Sequence, residues 1–172
     1  DQGTATVGLT CTGTAPDITD PSPGTLAFGN VELGQTSDLS FSFTNSSSGA
    51  GAETLDYSIS LPTGFTVPSG CTSGCTLNAG LSRTVTVRFT PTLRQAYTGA
   101  ITITTDDPDA EDATKTVNVT GEGVAPVIGN PMPVSRTHTF ANTDVGTTSA
   151  AVMISIQNAG NAQLDISGVS LT

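Results

Sequence analysis

Basic residues are scarce in this sequence: 5 lysines and arginines stand against 15 aspartates and glutamates, for a formal net charge of −10. A surface of that sign repels phosphate backbones, which excludes nucleic acid as a partner. Lys115 is the sole lysine and His138 the sole histidine, so lysine chemistry and a histidine-rich metal centre lack material. No apolar run approaches the length of a membrane span. Tryptophan is absent and aromatics make up 5% of the chain, which counts against an aromatic ligand platform. The 3 cysteines, Cys11, Cys71 and Cys75, form no CxxC pair, so redox-centre and c-type haem readings fall away. No secretory leader is visible, as expected of a mature chain or an excised piece.

Threonine, serine, 19 glycines and 10 prolines dominate instead. That composition, with apolar residues alternating against polar ones, predicts an all-β protein rich in turns. Period-two alternation puts Leu39, Phe41 and Phe43 on one inward face, then Leu55, Tyr57, Ile59 and Leu61. Phe65 and Val67 follow, then Val85, Val87 and Phe89, then Tyr97, Ile101 and Ile103, then Val117 and Val119. With a first strand around Leu26 and Phe28, about seven strands result, the number expected of an immunoglobulin-like sandwich. One-sided alternation predicts antiparallel sheets with one wet face.

The chain also matches itself. TCTGTAPDI from Thr10 lies on TGEGVAPVI from Thr120, with Gly13 on Gly123 and Pro16 on Pro126. Phe28 then pairs with Phe140, Gly34 with Gly146, and Leu55 with Leu164, the offset drifting as loop insertions require. A period of this size fits whole sandwich domains in series. The expected organisation is a terminal strand of a preceding or partner repeat at 1–14, a complete sandwich at 15–125, and the first half of a second repeat at 126–172.

The segments PSPGTLAFGNVELGQTS, VTVRFTPTLRQAYTGAITITTDDPD and VNVTGEG carry a family signature. They resemble the immunoglobulin-like choice-of-anchor D repeats of bacterial surface proteins. They are also similar to the abnormal-spindle/Hydin (ASH) repeats, themselves akin to major sperm protein domains. The resemblance implies a structural or interaction module without catalytic residues, often in tandem in long exported proteins. The GCTSGCT insert is extra to it.

Several residues are candidates for chemistry. Cys71 and Cys75 flank a short turn and are expected to form a local disulfide. Cys11 is then free or intermolecular, the rival being a bridge from Cys11 to one of the pair. In DDPDAED, Asp107, Asp109 and Glu111 alternate as in part of a calcium loop, but Asp112 stands where that loop needs glycine. A solvated turn is the plainer reading. Lys115 shares the parity of Val117 and Val119, and a snorkelling stem at the strand end is expected over an isopeptide link. Asn45-Ser-Ser and Asn118-Val-Thr are sequons. No nucleophile stands beside a base and no phosphate loop follows a strand, so neither an enzyme nor a cofactor is expected.

A half sandwich at 126–172 exposes an apolar face built from Val152, Ile154, Ile156, Leu164 and Ile166. The strand at residues 4–10, with Thr6, Val7 and Leu9, is of the type that finishes the complete repeat. The expectation is therefore a non-enzymatic structural repeat protein of a cell-surface or extracellular assembly, whose partners are its own copies or neighbouring repeats joined by β-strand addition. The alternative is an adhesin or ligand-binding module of a longer surface protein.

Overall fold

The computed structural model describes residues 6–8, 14–130 and 138–170. Eight strands are present: β1 (Thr25–Glu32), β2 (Ser37–Thr44), β3 (Leu55–Ser60), β4 (Phe65–Thr66), β5 (Cys75–Leu77), β6 (Ser82–Phe89), β7 (Ala96–Thr105) and β8 (Thr114–Val124). They form a five-stranded sheet in the order β1-β8-β7-β3-β5 and a three-stranded sheet in the order β2-β6-β4. Each strand turns alternate residues to the layer between the sheets. Phe41, Phe43, Leu55, Val87, Phe89, Ile101, Ile103, Val117 and Val119 are all at most 1% exposed there. This is the sandwich anticipated from the alternation. Leu39, Leu61 and Val67 pack against its margin.

Two features depart from the sequence reading. The first is β5, a strand the alternation did not reveal because it is three residues long and starts at a cysteine. It pairs antiparallel with β3, setting Tyr57 opposite Cys75. The second is the β1–β8 pair, which is parallel. Parallel neighbours need a long connection, and here the whole domain lies between the first strand and the last. The segment leading into β1 crosses between sheets. Ile18 bridges to Asn45 just past β2 and Ser22 to Ser42 within it, and after the cis Ser22–Pro23 bond the chain joins β8 in the other sheet.

The turn from β6 to β7 is fastened by one side chain. Tyr97 Oη accepts hydrogen bonds from the backbone N–H of Thr92 at 3.1 Å and of Leu93 at 2.9 Å. Phe89 packs its ring 4.9 Å from Phe65 and 5.2 Å from Tyr97. Gly123 on β8 runs so close to Leu93 that a Cβ would collide with the Leu93 carbonyl oxygen. A side chain at this position of β8 is excluded by that approach.

Beyond Val124 the described residues contain no strand; Ile128 and Asn158 form an isolated bridge, and Ser155 is also a bridge residue. This stretch is nevertheless tied to the sandwich. Arg94 donates to the Ala159 carbonyl at 3.3 Å. Asn161 donates to Glu122 at 2.9 Å and accepts from the Ala125 N–H at 3.0 Å.

Candidate functional site

Cys71 and Cys75 are joined in a disulfide, with their Cα atoms 5.7 Å apart. Cys75 opens β5 and is buried, whereas Cys71 is exposed on the preceding loop. The loop lies along β3: the Ile59 N–H donates to the Thr72 carbonyl at 2.7 Å, and the Gly74 N–H donates to Ser58 Oγ at 3.3 Å. Gly74 takes a left-handed φ of 61°, which lets so short a turn close. The GCTSGCT insert thus carries the start of β5, the strand beyond the seven expected. Cys11 lies outside the described residues.

The acidic run occupies the β7–β8 hairpin, and Asp106, Asp107 and Asp109 accept hydrogen bonds from backbone N–H groups. Asp107 is 7% exposed. It accepts from the Ile18 N–H at 3.0 Å with one oxygen and from the Asp109 N–H at 3.0 Å with the other. Asp109 in turn accepts from the Glu111 N–H at 3.1 Å. The three carboxylates that converge are Asp17, Asp107 and Asp112, with one oxygen of each within 4.8 Å of the others. Asp109 and Glu111 are not among them. Asp17 arrives from the leading segment, a convergence that spacing within the hairpin does not reveal. Lys115 counters this acidic corner through ion pairs to Asp112 and to Asp20. The hydrogen-bonded carboxylate of Asp112, then that of Asp20, holds its ammonium above the usual lysine range. The neutral amine that an isopeptide link requires is therefore disfavoured.

Asn45, noted in the sequence only as a sequon, is fully buried. Its Nδ2 donates to the carbonyls of Glu53 and Leu77, each at 2.9 Å. Its Oδ1 accepts from the N–H groups of Asp17 at 3.3 Å and Ser47 at 3.2 Å. One amide therefore joins the end of β2, the leading segment, the following loop and β5 on the opposite sheet. It is a structural lock with no free N–H to glycosylate. Asn118 is exposed on β8.

The strand-exchange candidates divide in two. Val7 is 82% exposed, Thr6 is also exposed, and Leu9 lies outside the described residues. In the second stretch Val152, Ile154, Ile156 and Ile166 are 36%, 62%, 43% and 52% exposed, and Met153 is 88% exposed. Leu164 is half-buried. Residues of this character are core elsewhere in the chain.

A family profile described as Abnormal spindle-like microcephaly-assoc'd, ASPM-SPD-2-Hydin (ASH) matches residues 18–113. The chain belongs to the ASH family. The matched stretch runs from the leading segment through the Asn45 lock and the Tyr97 corner to the acidic hairpin. The conspicuous RFTPT segment is thus a fold element in this ASH sandwich: Phe89 fills the core and Tyr97 caps the backbone after Pro91. No curated protein sequence matches the chain. Among solved structures the chain is similar to the ASH/PapD-like domain 7 of human CEP192, at 15% identity and TM-score 0.39, covering 72% of this chain and 95% of that one. It is similar to a Porphyromonas gingivalis protein of unknown function at 20% identity and TM-score 0.46, covering 63% and 46%. It is also similar to the VesB protease of Vibrio cholerae at 22% identity and TM-score 0.44, covering 63% of this chain and 32% of the protease. The chain spans about a third of that protease. No helix among the described residues is long and apolar enough to cross a membrane.

Proposed function

We propose that this ASH chain is a non-enzymatic structural module of an extracellular or cell-surface assembly, in which repeats are completed by β-strands from other repeats or other copies of the chain. The observation that carries the reading is the row of exposed apolar residues at Val152, Ile154 and Ile156 beside a finished sandwich. A soluble module gains by covering such a row. The segment around Val7 supplies a suitable strand type, because it repeats the sequence of β8, which in the complete sandwich lies between β1 and β7. Head-to-tail donation of this kind does not close and builds filaments. The disulfide supports an oxidising compartment.

The test is light scattering of the purified chain across a concentration series, beside a variant lacking residues 1–14. Concentration-dependent polymers that vanish in the truncated variant are expected. A full-length chain that stays monomeric at every concentration overturns the assembly reading.

A further inference from the structure

Folded units joined by a linker move relative to one another by default. The joint that follows this sandwich is bridged instead. Asn161 makes three hydrogen bonds across it. Its Oδ1 accepts from the Ala125 N–H at 3.0 Å, its Nδ2 donates to Glu122 Oε1 at 2.9 Å, and its own N–H donates to the Ala125 carbonyl at 3.2 Å. Arg94 Nη1 donates to the Ala159 carbonyl at 3.3 Å. The Ala159 N–H donates to the Val127 carbonyl at 2.7 Å, and the Val127 N–H donates to Asn158 Oδ1 at 3.3 Å. The turn Asn158–Asn161 is thus gripped by the linker on one side, and on the other by Arg94 and Glu122 from the end of the finished sandwich.

The grip is tightest at Gly160. A Cβ there would lie 2.3 Å from the Ala125 carbonyl oxygen and 2.6 Å from the Val127 nitrogen. Its φ is not left-handed, so the turn itself does not call for glycine; the close approach of the linker does. The internal match supplies the comparison. Asn158 stands 113 residues after Asn45, and Gly160 stands 113 after Ser47. The two turns bond alike: Asn45 Oδ1 accepts from the Asp17 and Ser47 N–H groups, and Asn158 Oδ1 accepts from those of Val127 and Gly160. Ser47 is buried with its side chain in place, so the same turn accommodates a Cβ where no such joint presses on it. Ser48 stands where Asn161 does, and it lacks the amide that reaches both Glu122 and Ala125.

We propose that the corner formed by Arg94, Glu122 and Ala125 is a docking surface for the Asn158–Asn161 turn of the repeat that follows, and that it fixes the angle between the two. A hinge needs residues whose φ and ψ can change, and the linker has none to spare. β8 ends at Val124. Ala125 has both its N–H and its carbonyl bonded to Asn161. Pro126 has a ring-locked φ and no N–H. Val127 has both backbone groups bonded to the turn, and the Gly129 N–H then donates to the Gln157 carbonyl at 2.8 Å. Repeats joined in this way stack as a stiff rod and do not swing. The corner fits a partner with the chemistry of the turn: a backbone carbonyl for the Arg94 guanidinium, a side-chain amide for the Glu122 carboxylate, and a glycine that leaves room for the linker. The joint lies within one chain, so it stands whether or not strands pass between chains.

The test measures a distance across the joint in the full chain. Spin labels are placed by Thr84→Cys on the exposed face of β6 and by Gln163→Cys, also exposed, just beyond Asn161. A Cys11→Ser background leaves the disulfide as it is, and double electron–electron resonance reads the distance distribution. Labelled protein is diluted into unlabelled chain, so that intramolecular distances alone are counted. One narrow distance is expected. Asn161→Ala and Gly160→Ala should each broaden it about twofold or more, as the default motion of linked units returns. Glu122→Gln keeps an oxygen acceptor for the Asn161 amide and should leave the distance narrow. Urea unfolding followed by far-UV circular dichroism checks that the sandwich is intact in every variant. A broad distribution in the labelled chain before any joint substitution overturns the proposal, and so does a width unchanged in both Asn161→Ala and Gly160→Ala. A narrow distance in a chain that never polymerises supports the joint while overturning self-assembly, so the two readings fail separately.

Discussion

Replacing Asn45 by alanine tests whether one buried amide holds the two sheets and the leading segment together. The substitution removes four hydrogen bonds. Two of them, to the Leu77 carbonyl and from the Ser47 N–H, are buried. Each buried group left without a partner costs about 1–3 kcal/mol. The partly buried partners at Asp17 and Glu53 reach water and add roughly 0.5 kcal/mol each. The expected destabilisation is therefore about 3–7 kcal/mol, a large share of the ~5–15 kcal/mol typical of a domain. Asn45→Asp gives a second signature. An ionised carboxylate at this place faces two carbonyl oxygens in place of donating to them, so the loss at neutral pH matches or exceeds that of alanine. It shrinks as acid protonates the group and restores a donor. Urea unfolding followed by far-UV circular dichroism reads both effects, with an unchanged m-value marking a change in stability alone. A loss below about 0.5 kcal/mol for Asn45→Ala, the range of ordinary surface substitutions, refutes the lock.

Tyr97→Phe keeps the ring against Phe89 but strips the acceptor from the Thr92 and Leu93 N–H groups, and about 1–2 kcal/mol of stability should be lost in the same unfolding assay. Cys71→Ser with Cys75→Ala opens a ring whose cysteines are four residues apart. The global loss should stay below the ~3 kcal/mol of a 15-residue loop, while hydrogen exchange accelerates at Ile59 and along β5; uniform acceleration across the sandwich would contradict this. Asp38 accepts two hydrogen bonds from Arg88, at 2.8 and 2.7 Å, across the β2–β6 pair. That hydrogen-bonded guanidinium holds the Asp38 carboxyl below its ordinary value of 3.8. A lowered carboxyl pKa contributes stability above the unfolded value and loses it as pH falls through the folded one. Asp38→Asn should therefore flatten the acid limb of the stability–pH curve below about pH 4 and leave the alkaline limb unchanged.

Seven of the eight strands and their inward residues were legible because alternation is a local property of the chain, and each inner face is buried on one side only. β5 was not legible, since Cys75–Leu77 is too short to show a period and its pairing with β3 is a tertiary contact across a loop. The parallel pairing of β1 with β8 was hidden because alternation carries no strand direction. The candidate sites were less readable still. Asp17 joins Asp107 and Asp112 only once the leading segment folds back beside the hairpin. Asn45 looked like a modification signal because its three-residue context matches a sequon, while its role depends on carbonyls 8 and 32 residues away. The recurrence of asparagine at position 158 was the one available sequence signal, and comparison of the two copies at that position would have found it.

The central claim, completion of one chain by strands of another, is most directly tested by mixing two crippled variants. A chain lacking residues 1–14 can accept a strand but not donate one. A chain carrying Ile154→Asp and Ile156→Asp can donate but not accept. Sedimentation of each variant alone should give monomer, and a 1:1 mixture should give a heterodimer that grows no further. A mixture that sediments as two monomers at every concentration would contradict the claim.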